Sequence, residues 1–181
     1  LIRKAAGLGR ASGEPDPDHY EKSNLHCDVL IVGSGPAGLL AALAAARTGA
    51  RVVLAEEDFR LGGRLLLDDT AIDDTAAAEW VARVEGELLA TKEVRILKRT
   101  AIVASYDHGT FAAVERVNDH LPIPPAHEPR QRLWRIVARQ CVITTGATER
   151  PLIFPNNDRP GIMLAAAARA YVNRYAALPG Q

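Results

Sequence analysis

Four residues whose types and spacing suit one kind of chemistry stand close together: Gly33, Gly35, Gly38 and Glu56. The first three belong to the turn Gly33-Ser34-Gly35-Pro36-Ala37-Gly38, between an apolar strand that starts near Cys27 and the apolar helix Ala37 to Ala46. In such a turn the first glycine permits a sharp strand-to-helix bend, the second lets backbone approach a pyrophosphate, and the third brings helix and sheet close. The helix N-terminus then faces the phosphates, where free N–H groups and the helix dipole favour an anion. Pro36 suits the first helical turn because it has no N–H to leave unpaired. A second strand ends at Glu56, roughly 20 residues beyond the turn, where a carboxylate accepts hydrogen bonds from a ribose 2′-OH and repels a 2′-phosphate. Glu57 adds to the negative end. The pattern implies NAD, or the adenosine half of FAD, over NADP, with Arg51 and Arg60 nearby leaving some phosphate tolerance open.

Two further glycine sites converge on the same place. Gly62, Gly63 and Arg64 follow the second strand, close enough to flank a pyrophosphate or ribose, and Thr145-Gly146-Ala147 ends the last apolar strand with a turn that brings backbone to the same cofactor. No general acid or base is named, because no titratable side chain has a partner at a defined spacing. No metal site is expected: the five histidines are not clustered, and Asp68, Asp69, Asp73 and Asp74 read as capping acids before a helix from Thr75 to Leu89. Trp80, Val84 and Leu88 give that helix its core face. Cys27 and Cys141 make no C-x-x-C pair, read as buried structural thiols and fit a reducing, cytoplasmic compartment.

The elements that must position these residues are those of a Rossmann-like α/β fold, a parallel sheet carrying an inserted antiparallel β-meander at about residues 99–139, as an incomplete FAD/NAD(P)-binding domain. Val94 to Leu97 is a third parallel strand. Thr100 to Ser105, Thr110 to Val117 and Leu133 to Ala138 form the meander, with Asp107-His108-Gly109 as a turn, and Gln140 to Thr144 returns to the parallel sheet. Arg130, Arg132 and Arg135 are expected on a solvated face of the returning strand. The prolines at 122, 124, 125 and 129 confine Asp119 to Arg130 to an exposed loop. Residues 1–25, rich in Pro, Gly and both charge signs, read as a linker or extended arm, and residues 26–181 as the dinucleotide-binding domain. Across the 181 residues the formal charge is zero, so nothing global favours nucleic acid or an anionic membrane, and the apolar helix is far shorter than the roughly 20 residues of a membrane span. Leu1 in place of Met, and an end at Leu-Pro-Gly-Gln directly after a helix, suggest a piece of a longer chain.

The set GSGPAG, Glu56, Gly62-Gly63 and VITTGATERP resembles the two-dinucleotide-binding flavoproteins, with Thr144 where that superfamily has alanine. The opening RKAAGLGRASGEPDPDHYEKSNLHCDVLIVGSGPAGL and the ending through NNDRPG are similar to the alpha subunits of heterotetrameric sarcosine oxidases over nearly the whole chain. That resemblance implies noncovalent NAD here, with FAD and FMN elsewhere in a complex of beta-, gamma- and delta-type subunits. It also implies that sarcosine and tetrahydrofolate bind outside this segment, which then breaks no bond itself. Carried over by motif, Gly33, Ser34, Gly35, Pro36, Ala37 and Gly38 cradle the pyrophosphate, Glu56 and Glu57 serve the ribose, Gly62, Gly63 and Arg64 flank it, and Thr145 and Gly146 approach from the last strand. Arg150, Asn156, Asn157, Asp158 and Arg159 either touch cofactor or a subunit, or simply form a turn. Two readings stand beside this one: FAD binding in an amine or opine oxidase or a cyanide-forming subunit, and a nucleotide held only as a scaffold for assembly.

Overall fold

The computed structural model describes residues 5–7 and 13–180. Its centre is a pair of long parallel strands, β1 (Tyr20–Val32) and β8 (Gln131–Ile143), joined in register from Tyr20 opposite Gln131 to Val32 opposite Ile143. The sheet runs β5-β2-β1-β8-β7-β6, with β2 at Val52–Ala55, β5 at Val94–Leu97, β6 at Thr100–Tyr106 and β7 at Thr110–Arg116. The β5, β2, β1 and β8 side is parallel, and β8, β7 and β6 pair antiparallel.

All four residues of β2 are buried, as a strand covered on both faces requires. One face carries helices α1 (Pro36–Arg47) and α2 (Ala77–Ala90). Pro36 opens α1, and the helix ends where Gly49 takes a left-handed φ of 79° while its N–H reaches Ala46 O. Trp80, Val81, Val84 and Leu88 recur at helical spacing on α2 and pack with Leu39, Leu43, Ile31 and Leu54 into one core. The opposite face of β1 and β2, through Leu30, Val53 and Ala55, joins Trp134, Ile136 and Ala138 of β8 in a second core. The sheet curls enough for Thr100 N, at the start of β6, to donate to Glu56 O just beyond β2.

Several expectations are corrected. The arm expected over residues 1–25 yields to strand at Tyr20, because β1 continues past the domain core to pair with the start of β8; residues 1–4 and 8–12 of that arm lie outside the described residues. Leu133 to Ala138 and Gln140 to Thr144 are not two strands. They form one, since the polar pair Arg139-Gln140 interrupts the apolar pattern without interrupting the ladder. The acids before α2 do not cap it: Asp73 and Asp74 take left-handed φ values of 49° and 59° in the turn between β3 (Ala71–Ile72) and β4 (Thr75–Ala76), and Asp68 pairs with Arg169. Arg130 and Arg132 are not solvated either, for Arg130 pairs with Asp18, and Arg132 bridges Glu21 and Glu115 while lying 5.3 Å from the Trp134 ring centroid.

Candidate functional site

The three glycine turns and the acid meet at the C-terminal ends of β1, β2 and β8, around an open cleft of about 1170 Å³. That end of a parallel sheet is where open α/β folds place their ligands. Gly33 turns out of β1 with φ 97°, and a Cβ there would lie 2.6 Å from Thr144 O, so glycine is required by both conformation and space. At Gly38 a Cβ would lie 2.0 Å from Gly33 O, which fixes how closely α1 approaches the turn. Gly35 is different: a Cβ there would meet nothing within 4 Å, so its bare backbone fronts open cleft. Gly146, with φ 72°, also fronts open space, and Thr145 lines the wall beside it.

Ser34 ties the parts together. Its Oγ donates to Glu56 Oε2 at 2.5 Å and its N–H donates to the same oxygen at 2.8 Å. Gly62 N–H donates back to Ser34 O at 3.0 Å, and Gly63 lies so close that a Cβ would sit 2.9 Å from Gly35 Cα. Glu56 Oε1 accepts from Asp58 N–H at 2.9 Å. A carboxylate offers about four acceptor positions, so these three hydrogen bonds leave about one for a further donor such as a ribose hydroxyl. Thr144 strengthens the turn in place of alanine: its hydroxyl lies 2.8 Å from both Val32 O and Gly33 O and donates between them.

Of the residues read from the sequence, Gly33, Ser34, Gly35, Pro36, Ala37, Glu56, Glu57, Gly63, Arg64, Thr145 and Gly146 line the cleft. Gly38 and Gly62 are buried behind it and set its shape. Arg51 is at the opposite end of the sheet, where it forks onto Asp28 at 2.9 and 3.0 Å, so it gives a 2′-phosphate nothing. Arg60 stacks on Phe59, 5.5 Å from the ring centroid. Arg150, Asn156, Asp158 and Arg159 do not line the cleft; Asn156 has a left-handed φ of 64° and its carbonyl accepts from Arg159 N, the geometry of a turn.

Sequence reasoning missed Phe59, Arg99, Arg116 and Arg174, all on the cleft wall. Arg99, at φ 55°, donates its Nε to Arg116 O at 2.8 Å and its backbone N to Asp58 O at 2.9 Å, and Arg116 Nη2 donates to Glu57 O at 2.5 Å. Arg174, from the last helical segment, forks onto Asp58 at 2.6 and 2.9 Å. Burial opposes ionisation of Asp58, but that fork and the Arg60 N–H outweigh it and hold the carboxyl below its usual range. No local pattern marks these arginines, whose partners lie far away in sequence. The motif around Lys98-Arg99-Thr100 signals only a turn.

The FAD dependent oxidoreductase family model matches residues 28–141. The sarcosine oxidase alpha subunit of Rhizobium meliloti is 53% identical over all of this chain, and that of Corynebacterium sp. (strain P-1) is 47% identical over 96% of it. In each case the chain spans 18% of the relative's length. Among solved structures, L-proline dehydrogenase from P. horikoshii superposes with a TM-score of 0.70 at 27% identity, covering 88% of this chain and 31% of that one. No helix among the described residues is long and apolar enough to cross a membrane.

Proposed function

Because the chain belongs to the FAD dependent oxidoreductase family, we propose that its cleft holds the adenosine diphosphate half of a dinucleotide, within the alpha-type subunit of a sarcosine-oxidising complex. The observation that carries the reading is the contrast inside the glycine turn. Gly33 and Gly38 are filled against their neighbours, while Gly35 and Gly146 face open cleft beside a carboxylate with an acceptor position to spare. Gly35 and Thr145-Gly146 take the pyrophosphate on backbone, assisted by the N-terminus of α1. Glu56, oriented by Ser34, takes the adenosine ribose, and Glu57 and Arg64 border it.

When bound, a dinucleotide supplies redox chemistry; this segment binds and orients its adenosine end and contributes no acid or base. The motif resemblance implies NAD as occupant. The family match favours FAD, and the shared adenosine diphosphate half suits the site equally. In the complete cytoplasmic complex, with beta-, gamma- and delta-type partners and FAD and FMN carried outside this segment, sarcosine, tetrahydrofolate and dioxygen become glycine, methylenetetrahydrofolate and hydrogen peroxide. The test is to denature the full chain, purified from its native complex, and identify released nucleotides against NAD, NADP and FAD standards. NAD supports the sarcosine-oxidase alpha reading, FAD alone moves the domain to the flavin site, NADP contradicts the role given to Glu56, and release of no dinucleotide overturns the proposal.

A further inference from the structure

The last helical segment, α3 (Ala165–Arg169) continuing as one π turn to Arg174, clasps the loop that carries the ribose acid. Arg174 stands 116 residues from Asp58, yet its Nη atoms fork onto both Asp58 oxygens. The guanidinium lies between two aromatic rings, 5.4 Å from the Phe59 centroid and 5.5 Å from that of Tyr175, and the side chain is only 14% exposed. A planar, bidentate and stacked arginine fixes the direction of its partner as well as its charge. Asp58 in turn donates its backbone N–H to Glu56 Oε1 at 2.9 Å. The same segment grips the far end of the loop, where Asn173 Nδ2 donates to Leu67 O at 2.6 Å and Arg169 pairs with Asp68.

We propose that Arg174 is a positioning residue for ribose recognition: acting through Asp58, it aims the free acceptor position of Glu56 at the adenosine 2′-OH. This deepens the dinucleotide reading and rests on it. Of the four arginines lining the cleft, Arg99, Arg116 and Arg174 are each already held by a carbonyl or carboxylate of the protein, which leaves Arg64 as the cation of the wall that could meet a phosphate.

The test uses the full chain freed of nucleotide, titrated with ADP and with 2′-deoxy-ADP. A hydrogen bond from a hydroxyl to a carboxylate makes ADP bind about tenfold or more tightly than its 2′-deoxy analogue. Arg174→Ala is expected to bring that ratio near one while leaving 2′-deoxy-ADP affinity within about twofold, with Arg174→Lys in between. Asp58→Asn, which keeps the backbone N–H and the side-chain shape, should reduce the ratio in the same way, and adding it to Arg174→Ala should change nothing more. The ratio compares two ligands on one preparation, so a smaller folded fraction cancels. An unchanged ratio in both single variants, even with weaker overall binding, would overturn the role of Arg174 and leave the dinucleotide site standing. Failure of the unmodified chain to bind ADP would instead overturn both.

Discussion

The two ends of the parallel sheet each carry an acid, and they treat it differently. At the base, Asp28 in β1 is met by cations: Arg51 forks onto it, and Arg139 lies 3.5 Å away. These contacts hold its carboxyl far below the usual range, the Arg51 side chain being the main cause. At the cleft, Glu56 receives neutral donors among the described residues, two backbone N–H groups and the Ser34 hydroxyl. A charge closed off by guanidinium groups is spent on structure. A charge oriented by fixed dipoles stays available to a ligand, with the Arg174 cation kept two residues further on, at Asp58.

The contrast breaks most visibly within the glycine turn. Gly38→Ala drives a Cβ to 2.0 Å from Gly33 O, so a loss of about 3 kcal/mol, read as a lower denaturant midpoint, is expected. Gly35→Ala meets no atom within 4 Å and should leave the midpoint almost unchanged while weakening nucleotide binding. Next in size, Glu56→Gln keeps the side-chain shape but trades an acceptor oxygen for a donor NH2 and removes the charge. The expected loss of ADP affinity is about 1.5 to 3 kcal/mol by calorimetry.

A pH series sharpens the same comparison. Asp58 and Asp28 both have depressed folded pKa values, so each contributes stability above the unfolded carboxyl value, about 3.9, and loses it as pH falls through its folded value. Asp28 is the more depressed. Protection of residues 165–175 from exchange should therefore fail at a higher pH than protection around β1 and Arg51, and the reverse order would contradict the assignment. The smallest effect is chemical: burial first, with Asp28 adding, pushes the Cys27 thiol up to about 11, so alkylation at pH 8 should wait for unfolding.

Most of the nucleotide half was legible because it is local. The order strand, glycine turn, helix, strand and acid fits within residues 27–57, and every step obeys a short-range rule of conformation or spacing. Trp80 and its helical partners were legible for the same reason. What escaped is long-range. Arg132 looked solvated beside apolar neighbours, and only the fold brings Glu21 to it across 111 residues. Asp68, Asp69, Asp73 and Asp74 read as caps because acids before a helix usually are; instead the left-handed backbone at Asp73 and Asp74 makes those two a hairpin turn, and Asp68 pairs with Arg169. The clasp of Arg174 on Asp58 has no sequence signature, since an arginine in an alanine-rich helix is ordinary until its partner is known.

If the proposed function holds, nucleotide binds at the Glu56 end of the sheet and not at the Asp28 end. Calorimetric titration of ADP into the nucleotide-free full chain, its Glu56→Gln variant and its Asp28→Asn variant tests it most directly. Glu56→Gln is expected to lose about tenfold or more in affinity, and Asp28→Asn to keep its affinity with a lower melting temperature. Equal affinities for the unmodified chain and Glu56→Gln, or a loss confined to Asp28→Asn, would contradict it.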